Sequence, residues 1–297
     1  VSQLVWNGLF VGSFYALVAL GYSMVYGVIK LLNFAHGDLY MLGAFSGFAM
    51  LGALGGLVRS QSLLALLLVL VATMLVTGLA GMALERVAYR PLRGAPRLSL
   101  LITAVGASFA LEYGTRAAAG ADPRVYQVRL GGTTLHVLGA RVTVQQLVLV
   151  AIAVALMVAL HRLVTGSRQG RAMRAIALDP VAARLMGIDV DAVIARTFFL
   201  GSALAGAAGV MAGGYYGKID FLMGFIIGLK AFTAAVIGGI GNIPGTMLGG
   251  LLLGLLESFG TDLLGGEWRD VFAFGCLILF LTVRPTGLLG ERVTERV

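Results

Sequence analysis

Residues 61–84 read Gln61-Ser62-Leu63-Leu64-Ala65-Leu66-Leu67-Leu68-Val69-Leu70-Val71-Ala72-Thr73-Met74-Leu75-Val76-Thr77-Gly78-Leu79-Ala80-Gly81-Met82-Ala83-Leu84, without one Asp, Glu, Lys or Arg. A helix needs roughly 20 apolar residues to cross the hydrocarbon core of a bilayer. Four more charge-free runs lie at 1–29, 39–58, 197–217 and 231–256. None alternates with a period of two, which argues against a membrane β-barrel. Hydrophobic types make up 59% of the 297 residues and charged types 12%. A soluble domain carries about twice that share of charge. Mean hydropathy is +0.93. These values rule out an ordinary soluble enzyme, a coiled coil and a disordered chain. The expected fold class is all-α, a polytopic integral membrane helical bundle.

Working outward from 61–84, spans are expected near 5–28, 38–57, 62–84, 98–117, 143–161, 196–214, 222–240, 245–263 and 270–284. That is about eight or nine transmembrane helices by length and hydropathy. The run 1–29 lacks a basic region ahead of a short apolar stretch and a cleavage site, so it reads as a retained span. Arginines set the orientation. Arg86, Arg90, Arg93 and Arg97 share one connection; Arg162, Arg168, Arg171, Arg174, Arg184 and Arg196 lie in or beside another; Arg284, Arg292 and Arg296 lie in the tail. Placing all three inside, with Lys30, puts the N-terminus outside and the C-terminus inside. The stretch 222–240 has two readings, a full crossing or a re-entrant segment. Re-entrance would move the tail outside, so the positive-inside rule favours a crossing.

The net charge of +8 raises nucleic acid as a partner, but the placement of the basic residues between spans argues for membrane topology instead. Cys276 is the only cysteine and makes no intrachain disulfide, and His36, His136 and His161 are too scattered to suggest a metal site. Residues 118–142 are expected outside, with a small hairpin of Thr133–Val137 and Arg141–Thr143 around Gly139. Residues 162–195 are expected inside. Neither segment holds a nucleotide-binding domain, and 1–297 reads as one transmembrane domain.

The 43 glycines include the pairs Gly8/Gly12, Gly209/Gly213, Gly245/Gly249 and Gly250/Gly254. Such spacing lets helices approach closely, and packing within the chain is favoured over a dimer motif. A short internal similarity joins Asn33–Asp38 before Met41-Leu42-Gly43-Ala44 to Asn242–Thr246 before Met247-Leu248-Gly249-Gly250. Each reads as a polar break followed by a small-residue helix start.

No catalytic constellation appears. There is no nucleophile elbow, no HExxH and no carboxylate pair at a general acid–base spacing. Gly217-Lys218 lacks the remaining residues of a phosphate loop. An ATP-driven transporter built on this chain therefore needs another polypeptide.

The segment 170–188 reads Gly-Arg-Ala-Met-Arg-Ala-Ile-Ala-Leu-Asp-Pro-Val-Ala-Ala-Arg-Leu-Met-Gly-Ile. Asp179 suits an N-cap, Pro180 the first helical position and Gly187 the stop. The helix between them is too brief to span. It carries both apolar groups and arginines, so a membrane-surface helix and a knob that docks into a soluble partner both fit.

The residues that settle a resemblance are spread over the chain. They are Tyr15-Ala16-Leu17, Gly21-Tyr22-Ser23-Met24-Val25-Tyr26-Gly27, Asn33-Phe34-Ala35-His36-Gly37-Asp38-Leu39-Tyr40-Met41 and Glu85-Arg86-Val87-Ala88-Tyr89-Arg90-Pro91. The segment 170–187, the run Lys230–Gly241 and Pro285-Thr286-Gly287-Leu288-Leu289-Gly290 complete the set. Together they resemble the permease subunits of branched-chain amino acid ABC importers, specifically the shorter of the two permeases. Residues 118–142 match least. The resemblance implies a bacterial inner-membrane location and four kinds of partner: a second, longer permease chain, two cytoplasmic ATPase subunits, a periplasmic binding protein and membrane lipid. It implies that this chain binds no cofactor, since ATP and Mg2+ are used by the ATPase. It also implies that 170–187 is the coupling helix, with Arg171, Arg174, Asp179, Pro180, Ala183, Arg184 and Gly187 as ATPase-coupling residues.

Polar residues at membrane depth are functional candidates. Here they are Asn33, His36, Asp38, Lys230 and Asn242. Each has a plainer reading: Asp38 as a helix N-cap, His36 as a packed histidine, Asn33 and Asn242 as caps, Lys230 snorkelling to an interface. Glu85 and Arg86 read as interfacial charges that pair, and Glu112 and Glu257 as residues near the outer surface. Three alternatives stand beside an ABC permease for branched-chain amino acids. They are a related permease for urea, short amides or another small solute, a secondary transporter or channel without ATPase partners, and a membrane enzyme, which the missing catalytic set disfavours.

Overall fold

A computed structural model of the chain describes residues 1–53, 63–126, 133–137 and 139–290. Arg292 and Arg296 lie outside the described residues, as do the end of the second expected span and part of 118–142. The fold is all-α. Its helices are α1 (Ser2–Ile29), α2 (His36–Ala53), α3 (Leu63–Leu84), α4 (Arg97–Ala119), α5 (Val144–Gly166), α6 (Arg168–Leu178), α7 (Pro180–Leu185), α8 (Val190–Tyr216), α9 (Met223–Gly238), α10 (Ile243–Leu264) and α11 (Arg269–Val283). Each of the nine expected apolar runs coincides with one of them. Among the described residues, six helices are long and apolar enough to cross a membrane: α1, α3 with its continuation to Leu92, α4, α5, α8 and α10. α9 has 16 residues, about 24 Å at 1.5 Å per residue, which is less than the roughly 30 Å of hydrocarbon.

α1 and α8 form the centre and are buried on nearly every side. α4 and α5 are peripheral, with Leu98, Ile102, Phe109, Val154 and Val158 facing outward. Apolar side chains on an outer surface are what lipid requires, since a lipid-facing helix gains nothing from a polar face. Central helices instead need small residues. α1 and α10 pack so closely that a Cβ on Gly254 would come within 2.3 Å of the Gly8 carbonyl oxygen, and one on Gly250 within 2.5 Å of Ala16. The spaced glycine pairs on these two helices therefore serve packing inside the chain.

Local signals fix the helix ends. Thr143 and Gln146 form a reciprocal capping box at the start of α5, which satisfies two otherwise orphaned N–H groups. Asn242 accepts from the Gly245 N–H at 2.9 Å and starts α10. α1 stops where Lys30 turns left-handed at φ 55. The expected hairpin is present: β2 (Thr134–Val137) pairs antiparallel with β3 (Ala140–Thr143), with Gly139 at φ 80 between them. A second short pair joins β1 (Arg124–Val125) to β4 (Lys218–Ile219), tying the start of the α4–α5 connection to the turn after α8.

α2 does not start at the end of α1. His36, its first residue, donates from Nε2 to the Val18 carbonyl at 3.2 Å, beside Gly21. Residues 30–35 therefore run back along α1 before α2 begins near mid-height. The first turn of α2 then packs on α9, where Gly37 meets Gly224 and Gly228. The break 239–242 between α9 and α10 uses Gly239 at φ 102 and Gly241 at φ 94. Ser23 of α1 accepts from the Gly241 N–H at 2.9 Å.

Candidate functional site

The central polar residue is Lys230, at the middle of α9 and 3% exposed. It does not snorkel. Its Nζ lies 2.8 Å from Glu257 Oε1 on α10 and 2.6 Å from Asp270 Oδ1 on α11. Glu257 Oε2 accepts from the Tyr15 hydroxyl at 2.8 Å and from Arg269 Nε at 2.8 Å. Arg269 Nη2 reaches Tyr15 and Tyr216, each at 3.3 Å. Two cations thus face two carboxylates, and the cluster is formally neutral. Burial of an unpaired charge is prohibitive, whereas a paired and hydrogen-bonded one is tolerated. Glu257 is 1% exposed, so an inexpensive position near a surface does not explain it. Its partners do.

Asp38 lies inside the first turn of α2 rather than capping it. Its Oδ2 accepts from the Ser108 hydroxyl of α4 at 2.5 Å. Glu112, one turn further along α4, faces Asp38 within hydrogen-bonding reach. Asp38 Oδ1 and Glu112 Oε1 are buried without a hydrogen-bond donor, and no cation pairs with either among the described residues. Asn33 accepts from the Tyr89 hydroxyl at 2.6 Å, and its Nδ2 has no partner. Asn33, His36 and Asp38 therefore gather at the start of α2. A Cβ on Gly224 would lie 2.7 Å from Asp38 Oδ1, so α9 touches both this group and, further along, the Lys230 cluster. Asn242 stands apart, with its side-chain oxygen capping α10 and its Nδ2 donating to the Leu289 carbonyl at 2.8 Å.

α6 and α7 pack on each other and against α8, with α6 also meeting α5 and α1. Asp179 ends one helix and starts the next: its N–H bonds to Ala175 O at 3.1 Å, and its carboxylate accepts from the N–H groups of Val181 and Ala182. Pro180 takes the first helical position. Gly187, at φ 80, ends α7. Its N–H bonds to Arg184 O and that of Ile188 to Ala183 O, the paired pattern of a left-handed stop. Leu178, Val181, Leu185 and Met186 are exposed, while Ala183 is buried. Ala183 is therefore an anchoring residue of the knob and not part of its outer face. Arg171 and Arg174 close the end of α5, donating to the carbonyls of Gly166 (3.3 Å) and Val164 (2.5 Å).

Asp191, at the start of α8, was not singled out from the sequence, yet it organises this region. It accepts from Arg90 and Arg93 at 2.5 Å each, and Arg184 stands 3.8 Å away. Arg93 also pairs with buried Glu85, so the partner of Glu85 is Arg93 and not the neighbouring Arg86. The end of α3, the knob α7 and the start of α8 are tied through one carboxylate. Among the described residues no group of three His, Cys, Asp or Glu could hold a metal ion.

A bundle of lipid-compatible helices, a broken helix start and charges paired in its interior define a polytopic membrane permease of the multi-pass inner-membrane kind. The chain belongs to the family described as branched-chain amino acid transport system, permease component, whose sequence model matches residues 4–281. It is 44% identical over 301 residues to the high-affinity branched-chain amino acid transport system permease protein BraD of Pseudomonas aeruginosa, covering 100% of this chain and 98% of that one. It is 42% identical over 299 residues to the permease protein LivH of the same kind of system in Escherichia coli K12, covering 99% and 97%. A probable branched-chain amino acid permease of Methanocaldococcus jannaschii is 27% identical over 296 residues, covering 92% and 88%. The relatives are transport permeases, which places this chain among ABC transporter permeases of amino-acid transport.

Proposed function

We propose that this chain is the transmembrane permease subunit of an ATP-driven, binding-protein-dependent importer that carries branched-chain or related amino acids into the cytoplasm by alternating access. Residues 1–297 act as one permease domain with eight or nine crossings by hydropathy and loop charge, N-terminus outside and C-terminus inside. α9 completes its crossing jointly with residues around it. The partners are a longer second permease, two cytoplasmic ATPase subunits that bind and hydrolyse ATP with Mg2+, and a periplasmic binding protein. Asn33, His36, Asp38 and Lys230 line or border the path, and Asn242 holds the break beside it. Arg171, Arg174, Asp179, Pro180, Ala183, Arg184 and Gly187 build and anchor the coupling element.

The observation that carries this reading is α7. Its six residues expose Val181 and Leu185, with Met186 at its end, on a knob held rigid at both ends. A secondary transporter or channel working alone has no use for such a surface. Full-length similarity to branched-chain amino acid permeases favours those substrates over urea or amides. Proteoliposomes containing the chain with its second permease and ATPase test it. Leucine uptake should require ATP inside and binding protein outside. Uptake driven by an ion gradient without ATP would overturn the reading.

A further inference from the structure

The Lys230 cluster is not sealed on all sides. Beside it lies a cavity of about 430 Å³, lined by α1, the end of α8, α10 and the turn into α11. Glu257 and Arg269 reach it from the cluster, Asp262, Ser258 and Thr261 add polar edges, and Leu4 and Val11 form an apolar wall. In the orientation proposed above it opens on the outer side, where the N-terminus of α1 and the C-terminal ends of α8 and α10 meet. The volume lies within the range of small-ligand sites.

We propose that this cavity is an outer reception site for a zwitterionic amino acid. The chemistry comes from the way the charges are arranged. Arg269 is one-third exposed and Glu257 almost fully buried behind it, 2.8 Å away. Nε and Nη2 of Arg269 are engaged by Glu257 and the two tyrosines, which leaves Nη1 for an arriving carboxylate. An N–H of a guanidinium gives a carboxylate a charge-assisted hydrogen bond. The ammonium of the same molecule finds its acceptor in Asp262, exposed at the edge of the cavity, and its side chain lies on Leu4 and Val11. Lys230 and Asp270 keep the interior side of Glu257 balanced throughout, so a neutral zwitterion adds no net charge to a buried site. A free anion would leave Asp262 without a counter-charge and a free amine would leave Arg269 Nη1 unfilled, so only a zwitterion meets both.

This assignment rests on the function proposed above, and the test separates the two. Thr261→Cys in a Cys276→Ala background, assembled with its partner subunits in vesicles, places one thiol in the cavity. Its labelling by an external maleimide is followed with leucine, 4-methylpentanoate (no ammonium) or isopentylamine (no carboxylate) present. Leucine at about ten times its half-protecting concentration should slow labelling about tenfold, and neither half-ligand should. ATP-driven leucine uptake in the same vesicles with no protection by leucine overturns the site and leaves the function standing. Equal protection by either half-ligand overturns the zwitterion assignment. Wild-type vesicles that take up no branched-chain amino acid overturn the function and this site with it.

Discussion

Lys230 and Arg184 are both basic residues on helices too short to cross a bilayer unaided. Lys230 has two carboxylates within 2.8 Å and almost no exposure. Arg184 has one carboxylate at 3.8 Å, and its side chain is 64% exposed. The environments explain the difference in partners. In a low-dielectric interior an unpaired cation is so costly that the fold must supply counter-charges. At a wet surface a loose pair is adequate, and the donor stays available. The Lys230 charge is committed to holding α9, α10 and α11 together, while Arg184 and the apolar side chains of α7 stay exposed.

The comparison can be broken most forcefully at Lys230. Lys230→Met leaves Glu257 and Asp270 with Arg269 as the sole cation of the cluster. Removing one partner of a buried pair typically costs about 3–5 kcal/mol. Purified protein should melt at a clearly lower temperature, and adding Asp270→Asn should recover much of the loss by restoring neutrality. An unchanged melting temperature would mean that water reaches Glu257 and that the two regions do not differ as argued.

The second test sharpens the contrast within α7 itself. Leu185→Glu changes an exposed side chain, so the isolated permease should keep its stability within about 0.5 kcal/mol. If α7 docks an ATPase, the same change should weaken copurification by about thirtyfold, the effect of a hot spot near 2 kcal/mol. Ala183→Leu should act differently. Ala183 is buried where α7 meets the rest of the chain, so a larger side chain displaces the knob and lowers the permease's own stability. Identical behaviour of the two variants would erase the distinction between contact face and anchor.

The helices were legible because apolar runs and caps are local signals. Each expected run coincides with a helix over the described residues, and Asp179-Pro180 with Gly187 marked α7 to within one residue, Met186 being its C-cap. The path of residues 30–35 was not legible, since hydropathy does not tell whether a polar stretch stays at the surface or turns back along α1. Nor did the sequence pair Lys230 with its acids. A signal existed: Lys230 and Glu257 bracket the charge-free run 231–256. A base and an acid isolated at either end of one apolar stretch invite pairing if the stretch folds back on itself. It does so at Gly239 and Gly241. Asp191 gave less warning, because Arg90 and Arg93 lie about a hundred positions away, at separations of 101 and 98, and only the bundle brings them together.

Asp191 gives the smallest effect on stability and the most direct view of what joins the two regions. It is partly exposed, and its pairs with Arg90, Arg93 and Arg184 are of the surface type. Such pairs contribute about 0.2–1 kcal/mol each and do not add simply. Asp191→Asn should therefore lower stability by about 1 kcal/mol and leave insertion intact. Its effect on coupling should be larger in proportion. If α7 docks an ATPase, the carboxylate is the contact through which a push on α7 would reach the end of α3 and the start of α8, a central helix. With the link gone, the ATPase should still bind, because Val181 and Leu185 are untouched, yet ATP hydrolysis should be less tightly matched to leucine uptake. The ratio of ATP hydrolysed to leucine carried in proteoliposomes measures this. A ratio equal to wild type, with the expected small stability loss, would confine Asp191 to holding the surface together and would require motion of α7 to travel through α6 instead.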